Sequence, residues 1–276
     1  MMIARAIRIL RTRGIAGLVY AIHSRLQGLM AGRAKSFQTC EKFFADKCGI
    51  EVGGPSHVFS DRGNFPVYSI AGSLDNCNFS AATVWEGSIQ EGKTFKFDPN
   101  RPVGFQHIAE ATAMERFVPA SYDFVLASHV LEHIANPILA LSEWKRLLKD
   151  WGVLVLLLPH KDKTFDHRRP VTTMEHLIAD FDAGMREDDM THLPEILALH
   201  DLERDPEAGD AEDFKMRSLR NFQNRCLHHH VFDPRLAERL IEHVGLEIRA
   251  IEEIQPHHIL VVAQKPITSE SSITAL

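Results

Sequence analysis

Residues 48–265 are predicted to form an α/β unit on a doubly wound, mostly parallel sheet of seven strands. Three observations predict it. Short apolar runs recur along the chain with helical patterns between them, the rhythm of strand–helix–strand units. The run Val153-Leu-Val-Leu-Leu-Leu158 is apolar at every position, which suits a strand buried on both faces. The last two runs lie too close together to hold a helix, so they imply a C-terminal antiparallel hairpin. A chain of 276 residues, 45% hydrophobic and 25% charged, suits one large domain or a domain with an insertion. No stretch approaches the ~18 apolar residues of a membrane span. Four scattered cysteines make neither a disulfide scaffold nor a zinc knuckle, and point to a reducing cytoplasm.

The elements follow in order. Residues 1–47 are expected to form a basic amphipathic helical arm. Nine Lys/Arg against two acids over residues 1–48 give +7, which leaves −13 for the rest and −6 overall. Leu18, Ile22, Leu26 and Leu29 have helical spacing, although four nearby glycines weaken it. Such an arm suits a helix packed on the main domain, an interfacial helix meeting anionic lipid or a protein partner, or a targeting segment. Strands are predicted at Gly49–Val52, Val67–Ile70, Gly104–Ala109, Tyr122–Ala127, Val153–Leu158, Leu246–Ile254 and Ile259–Ala263. The clearest helices are Pro137–Lys149 and Asp233–Val244, the latter with Asp as N-cap and Pro at its first position. Between 164 and 224 the rhythm stops and acids dominate. Leu193–Leu199 and Phe214–Phe222 hold enough apolar residues to make this an ordered insertion over the sheet. Residues 266–276 read as a flexible tail.

The first turn reads Glu51-Val-Gly53-Gly54-Pro55-Ser56. Glycines after the first strand let backbone approach a ligand, and ligands of doubly wound sheets sit beyond the strands' carboxyl ends. The third glycine of a dinucleotide fingerprint is absent. Glu51 places negative charge where dinucleotide phosphates would lie, so it favours a ligand carrying positive charge. His129-Val-Leu-Glu132-His133 matches the H-x-x-E-H of inverted zinc peptidases. A strand runs straight into it and Pro137 follows, so the continuing helix that zinc needs is denied, and no metal site is expected.

At these residues the chain resembles class I S-adenosylmethionine-dependent methyltransferases. Glu51-Val-Gly-Gly54 is similar to their first motif. Ser121-Tyr-Asp-Phe-Val-Leu-Ala-Ser-His-Val-Leu-Glu-His-Ile-Ala-Asn-Pro137 is similar to their fourth strand and the turn that follows. Leu147-Leu-Lys-Asp-Trp-Gly-Val-Leu-Val-Leu-Leu-Leu-Pro159 resembles the fifth strand, and Val244-Gly-Leu with the last strand pair completes the set. The matches span residues 48–265 in order; the arm and insertion lie outside, and Pro55-Ser56 stand where relatives keep glycine. The resemblance implies a Rossmann-like methyltransferase fold with S-adenosyl-L-methionine as cofactor. It puts Glu51, Gly53 and Gly54 at the methionine part, Asp75 (or Asp98) at the ribose, Glu110 and Ala111 at the adenine, and Ser128 beside the methyl group.

The implied acceptor side is rich in histidine: 13 of 16 lie from His129 onward. His129, His160 and His167 are the candidate bases. Arg168 and Arg169 suit a carboxylate or phosphate on the acceptor, or structural ion pairs with Asp166. His228 and His230, one residue apart in an extended segment, are expected on one face of the acceptor pocket, joined by His192 or His200-Asp201. The expected activity is O-methylation of a small-molecule or glycan hydroxyl. Nucleic acid is not expected as a partner, because the −13 body repels polyanions. The competing reading is a non-catalytic scaffold on the same fold. An open pocket with Glu51 and Asp75 facing inward favours the enzyme, and a pocket filled by side chains favours the scaffold.

Overall fold

The computed structural model describes residues 32–205 and 207–267, together with Val19 and Ile22. The remainder of the predicted arm and of the tail lies outside the described residues. In chain order the elements are α1 (Phe37–Cys40), β1 (Cys48–Val52), β2 (Ser73–Asn78), β3 (Ala82–Thr83), β4 (Gly87–Ser88), β5 (Gly92–Phe95), β6 (Gly104–Ile108) and β7 (Tyr122–Ser128). There follow α2 (Pro137–Leu147), β8 (Leu148–Pro159), α3 (Met174–Asp182), α4 (Leu193–Leu199), α5 (Ala211–Ser218), α6 (Asn221–Asn224), α7 (Pro234–His243), β9 (Glu247–Ile254) and β10 (His258–Gln264).

The main sheet has eight strands, not seven, in the order β5-β6-β2-β1-β7-β8-β10-β9. Strands β6, β2, β1, β7 and β8 run parallel, and β10 is antiparallel to both β8 and β9. The extra strand, β5, pairs antiparallel with β6 at the edge. From β1 the chain winds first through β2 to β6, then returns to β7 and β8 on the other side. The order therefore reverses between β1 and β7, and the carboxyl ends of these two strands flank a crevice.

Alternate residues of the central strands bury on opposite faces. Leu154, Leu156 and Leu158 pack with Trp144 of α2 and Leu240 of α7; Val153, Val155 and Leu157 pack with Phe44, Phe65 and Phe124. Helices cover the first face, as the sequence predicts. The second face is covered by irregular chain whose phenyl rings meet edge to face, Phe37 on Phe65 at 5.0 Å and Phe44 on Phe124 at 5.4 Å. The crossover from β1 to β2 holds only a 3-10 turn at His57–Phe59, because Gly53, Gly54, Pro55, Gly63 and Pro66 deny it a longer helix.

That crossover also explains a misplaced strand. Val67–Ile70, predicted as the second strand, is a turn whose Val67 and Tyr68 fill the phenylalanine cluster. The strand lies at Ser73–Asn78, whose sequence Ser-Leu-Asp-Asn-Cys-Asn carries no apolar run. The helices at 137 and 233 form as expected, capped by Asn136 and Asp233 side chains that accept from Leu139 and Leu236 N–H. The acidic stretch 164–224 folds into α3 to α6. Its carboxylates are matched by Arg and His: Asp166 by Arg169, Asp201 by His167, Asp205 by His200, and Glu187 by Arg225. Among the described residues no helix is long and apolar enough to cross a membrane.

Candidate cofactor and acceptor site

The loop after β1 is held by two buried side chains beneath it. Gly54 N–H donates to Asn76 Oδ1 and Gly54 O accepts from Asn76 Nδ2, both at 3.0 Å, so one amide clamps the peptide from both sides. Glu51, fully buried, accepts from Ser56 N–H at 3.1 Å and Tyr68 O–H at 2.5 Å. Burial outweighs these hydrogen bonds and pushes the Glu51 carboxyl up to about 7. A Cβ on Gly54 would sit 2.2 Å from that carboxyl carbon, so only glycine fits above it. Gly53 has φ +80°, and a Cβ there would meet Val130 Cγ2 at 2.6 Å.

Beyond this loop, at the carboxyl ends of β1, β2, β6 and β7, opens a cavity of about 340 Å³. Gly53, Asn78 and Ser128 form its floor near the crevice, with Glu110 and Ala111 on the β6 side. The β3–β4 hairpin contributes Trp85 and Glu86, and the insertion contributes Phe165 and Glu187. Arg225, buried, reaches Glu110 and Glu187 at 2.7 Å each and stacks over Phe79. One arginine against four glutamates on the wall (Glu86, Glu110, Glu132 and Glu187) leaves the cavity suited to a cationic guest.

The opposite wall is imidazole. His129 follows β7 in the left-handed region, φ 54°, which turns its ring into the cavity. Its Nε2 lies 2.7 Å from His258 Nδ1, and its Nδ1 lies 3.2 Å from the carboxylate of Glu132. Glu132 has no exposed surface, and neither oxygen accepts an aligned hydrogen bond. Burial disfavours its charge, but His129 and its neighbours prevail and hold the carboxyl below its usual range. His228 pairs with Asp166 at 2.6 Å. Burial opposes that charge too, yet Asp166 holds the His228 imidazole above its usual range. Against the same burial, His228 and Arg169 hold Asp166 down to about 2. His133 is half-buried, and its Nδ1 donates to Leu227 O at 3.0 Å. Burial, the largest influence, pushes it down to about 4, which keeps this ring neutral.

Of the residues singled out from sequence, Gly53, Glu110, Ala111, Ser128, His129 and His228 line the cavity. Glu51 and Gly54 shape its floor from beneath. Asp75 does not reach it: the polar strand is shifted from the predicted one, so Asp75 sits mid-strand, where Phe105 N–H and Tyr122 O–H donate to it. Asn78 takes the strand end instead. Asp98 lies in a turn, accepting from Asn100 N–H. His160 is buried beside the cavity and accepts from Asp162 N–H through Nδ1. His167 pairs with Asp201 at 2.7 Å, and Arg168 reaches the same carboxylate at 3.4 Å. Arg169, 1% exposed, spans Asp166, Glu195 and the carbonyls of His228 and His229. It is a clasp joining the insertion to the extended segment, so it has no free face for an acceptor. His230 turns away from His228, to Asp180 at 2.9 Å, because helix α3 packs behind the segment. Alternation alone does not keep the two rings on one face.

Sequence reasoning missed Asn76, Trp85, Arg225 and His257. His257 could have been found. An antiparallel strand begins where its parallel neighbours end, so the first residues of β10 must stand at the carboxyl edge, beside Pro159.

The crevice at the reversal point of a doubly wound sheet is the usual ligand position of α/β proteins. The sequence profile of the methyltransferase domain family matches residues 23–251, and the chain belongs to that family. No curated protein matches the chain. Among solved structures it is similar to a methyltransferase of Methanosarcina mazei described as S-adenosylmethionine-dependent, at 14% identity and a TM-score of 0.47, covering 83% of this chain and 98% of that one. It is also similar to a protein from Bordetella parapertussis described as a possible exported protein (13% identity, TM-score 0.42), covering 84% of this chain and 66% of that one. A third is a carbon methyltransferase, CurJ, at 11% identity and a TM-score of 0.42, with 81% of this chain covered and 49% of the other. The chain thus spans less than two thirds of the latter two.

Proposed function

We propose that this protein methylates a hydroxyl group of a small-molecule or glycan acceptor in the cytoplasm, with His129 as the general base. The observation that carries the reading is His129 itself. It stands on the cavity wall in a strained left-handed conformation, between the buried Glu132 carboxylate and His258.

The cofactor supplies an electrophilic methyl on a sulfonium centre. Gly53, Gly54 and Ser128 would hold its methionine part, Asn78 its ribose in place of Asp75, and Glu110 with Ala111 its adenine. The glutamate-rich wall complements the cofactor's positive charge. The cavity is open and not filled by side chains, which favours the enzyme over the scaffold, although Glu51 and Asp75 do not face it.

Methyl transfer asks the protein mainly to align the partners and expel water. Trp85 and Phe165 supply the dry walls. Glu132, 3.2 Å away, favours the tautomer that keeps the proton on Nδ1 of His129, which leaves the lone pair on Nε2. An acceptor hydroxyl that displaces His258 from Nε2 meets that lone pair and gives up its proton there. His228, whose charged form the neighbouring Asp166 favours, lies on the same wall, where it would bind an acceptor oxygen.

Calorimetric titration with the demethylated cofactor tests the binding half; no heat at millimolar ligand ends the proposal. A panel of hydroxyl-bearing acceptors, read by mass gain of one methyl, tests the chemistry. Asn tolerates the left-handed backbone, so His129→Asn should fold and bind cofactor normally while losing about 10²–10⁴ in turnover. Unchanged turnover removes His129 as the base.

A further inference from the structure

The histidines left unused by the cavity converge elsewhere. His176 and Asp180 lie four residues apart on one face of α3. His192 precedes α4, and His230 ends the His228–His230 segment. One nitrogen from each of the three rings and one Asp180 oxygen all lie within 4.8 Å of one another. His176 Nε2 is 2.8 Å from His192 Nε2 and 3.2 Å from Asp180 Oδ2, and His230 Nε2 is 2.9 Å from that same oxygen. The Asp180 and His230 side chains are buried and His192 is 13% exposed, with His176 at the rim.

We propose that these four side chains form a structural site for a zinc-class divalent cation. Three imidazole nitrogens and one carboxylate oxygen make a borderline donor set, and four protein ligands close a tetrahedral shell. Bonds of about 2.0–2.1 Å set such ligand atoms roughly 3.3 Å apart, close to the spacing already present. An outer carboxylate is in place as well. Asp189 Oδ2 lies 3.3 Å from His192 Nδ1 and accepts from Thr191 O–H at 2.8 Å, while Asp189 Oδ1 accepts from Thr191 N–H at 2.9 Å. A carboxylate there keeps the Nδ1 proton and turns the Nε2 lone pair toward the centre. A water or hydroxyl position is not required, so the site is one of attachment. It ties α3 and the start of α4 to the segment that carries His228 into the cavity wall. This inference is independent of the methyl-transfer reading.

The test uses the full chain, stripped with a chelator and reloaded with Zn(II) or Co(II). One equivalent of zinc should be retained after desalting, and the cobalt form should show the intense visible bands of a four-coordinate ion. His176→Ala, at the rim where it cannot unfold the core, should abolish both, and so should Asp180→Asn. Asp189→Asn should weaken zinc affinity about 10–100-fold. Glu132→Gln, which alters the separate Glu132–His133–His228 cluster in the cavity, should leave stoichiometry and spectrum unchanged. Zinc that fails to bind the wild-type chain overturns the proposal. So does one equivalent retained by His176→Ala and Asp180→Asn, or lost in Glu132→Gln alone.

Discussion

Single side chains decide whether the loop after β1 keeps its shape. Glu51 shows how. Its carboxyl is pushed up to about 7 by burial, against an ordinary value of 4.5, so the folded state prefers it protonated. The stability it contributes is fully present below about 4.5 and is lost as pH rises through about 7. Glu51→Gln removes that loss. The variant's thermal midpoint, relative to wild type, should therefore climb between about pH 5 and pH 8; a constant difference would show that Glu51 is not the group responsible. Gly53→Val tests the adjoining position. At φ +80° with Val130 2.6 Å from any Cβ, it should weaken binding of the demethylated cofactor at least tenfold by calorimetry. Arg169→Met leaves the buried Asp166 short of a cation and should cost about 3–5 kcal/mol in urea denaturation.

Elements stand or fall by their caps and their neighbours. Helix α7 starts on the Asp233 side chain, which accepts from Leu236 N–H, and buries Leu236, Ala237, Leu240 and Ile241 against the sheet. Asp233→Ala should cost about 1 kcal/mol by denaturant melt, with no change in cofactor affinity. This helix was fully legible in sequence, because an Asp-Pro start and a helical apolar stripe are local signals. The same holds for β8, whose run of apolar residues can only be buried on both sides. Strand β2 was not legible. Its residues Asn76 and Asn78 face the glycine loop and Gln106, so their polarity serves other buried polar groups rather than solvent. A hydrophobicity pattern has no means of separating such a strand from a loop. Its misplacement carried the ribose assignment to Asp75 with it, since a shift along the strand moves a residue away from the carboxyl end.

At the scale of the molecule, the sheet, the phenylalanine face and the helical face form a frame, and the cavity lies where the strand order reverses. Ligand should tighten the rim and leave the frame alone. Hydrogen exchange measured with the demethylated cofactor should slow at residues 53–56, 128–134 and 225–228. It should not change along β9, at the far edge of the sheet; protection spread evenly over all eight strands would contradict this site.

The excess of histidine and the split of charge between arm and body were visible at once, as were the glycine turn, the buried strands and the family resemblance. All of these are local in sequence: periodicity, capping and motif order act over a few residues. The partners of each histidine were not local. Asp166 meets His228 across 62 residues, His230 meets Asp180 across 50, and His129 meets His258 across 129. Which imidazole enters the cavity, which clasps the insertion and which converge on one centre depends on how the insertion packs against the sheet. That packing is the sum of many weak contacts between distant segments, and only the folded chain brings them together.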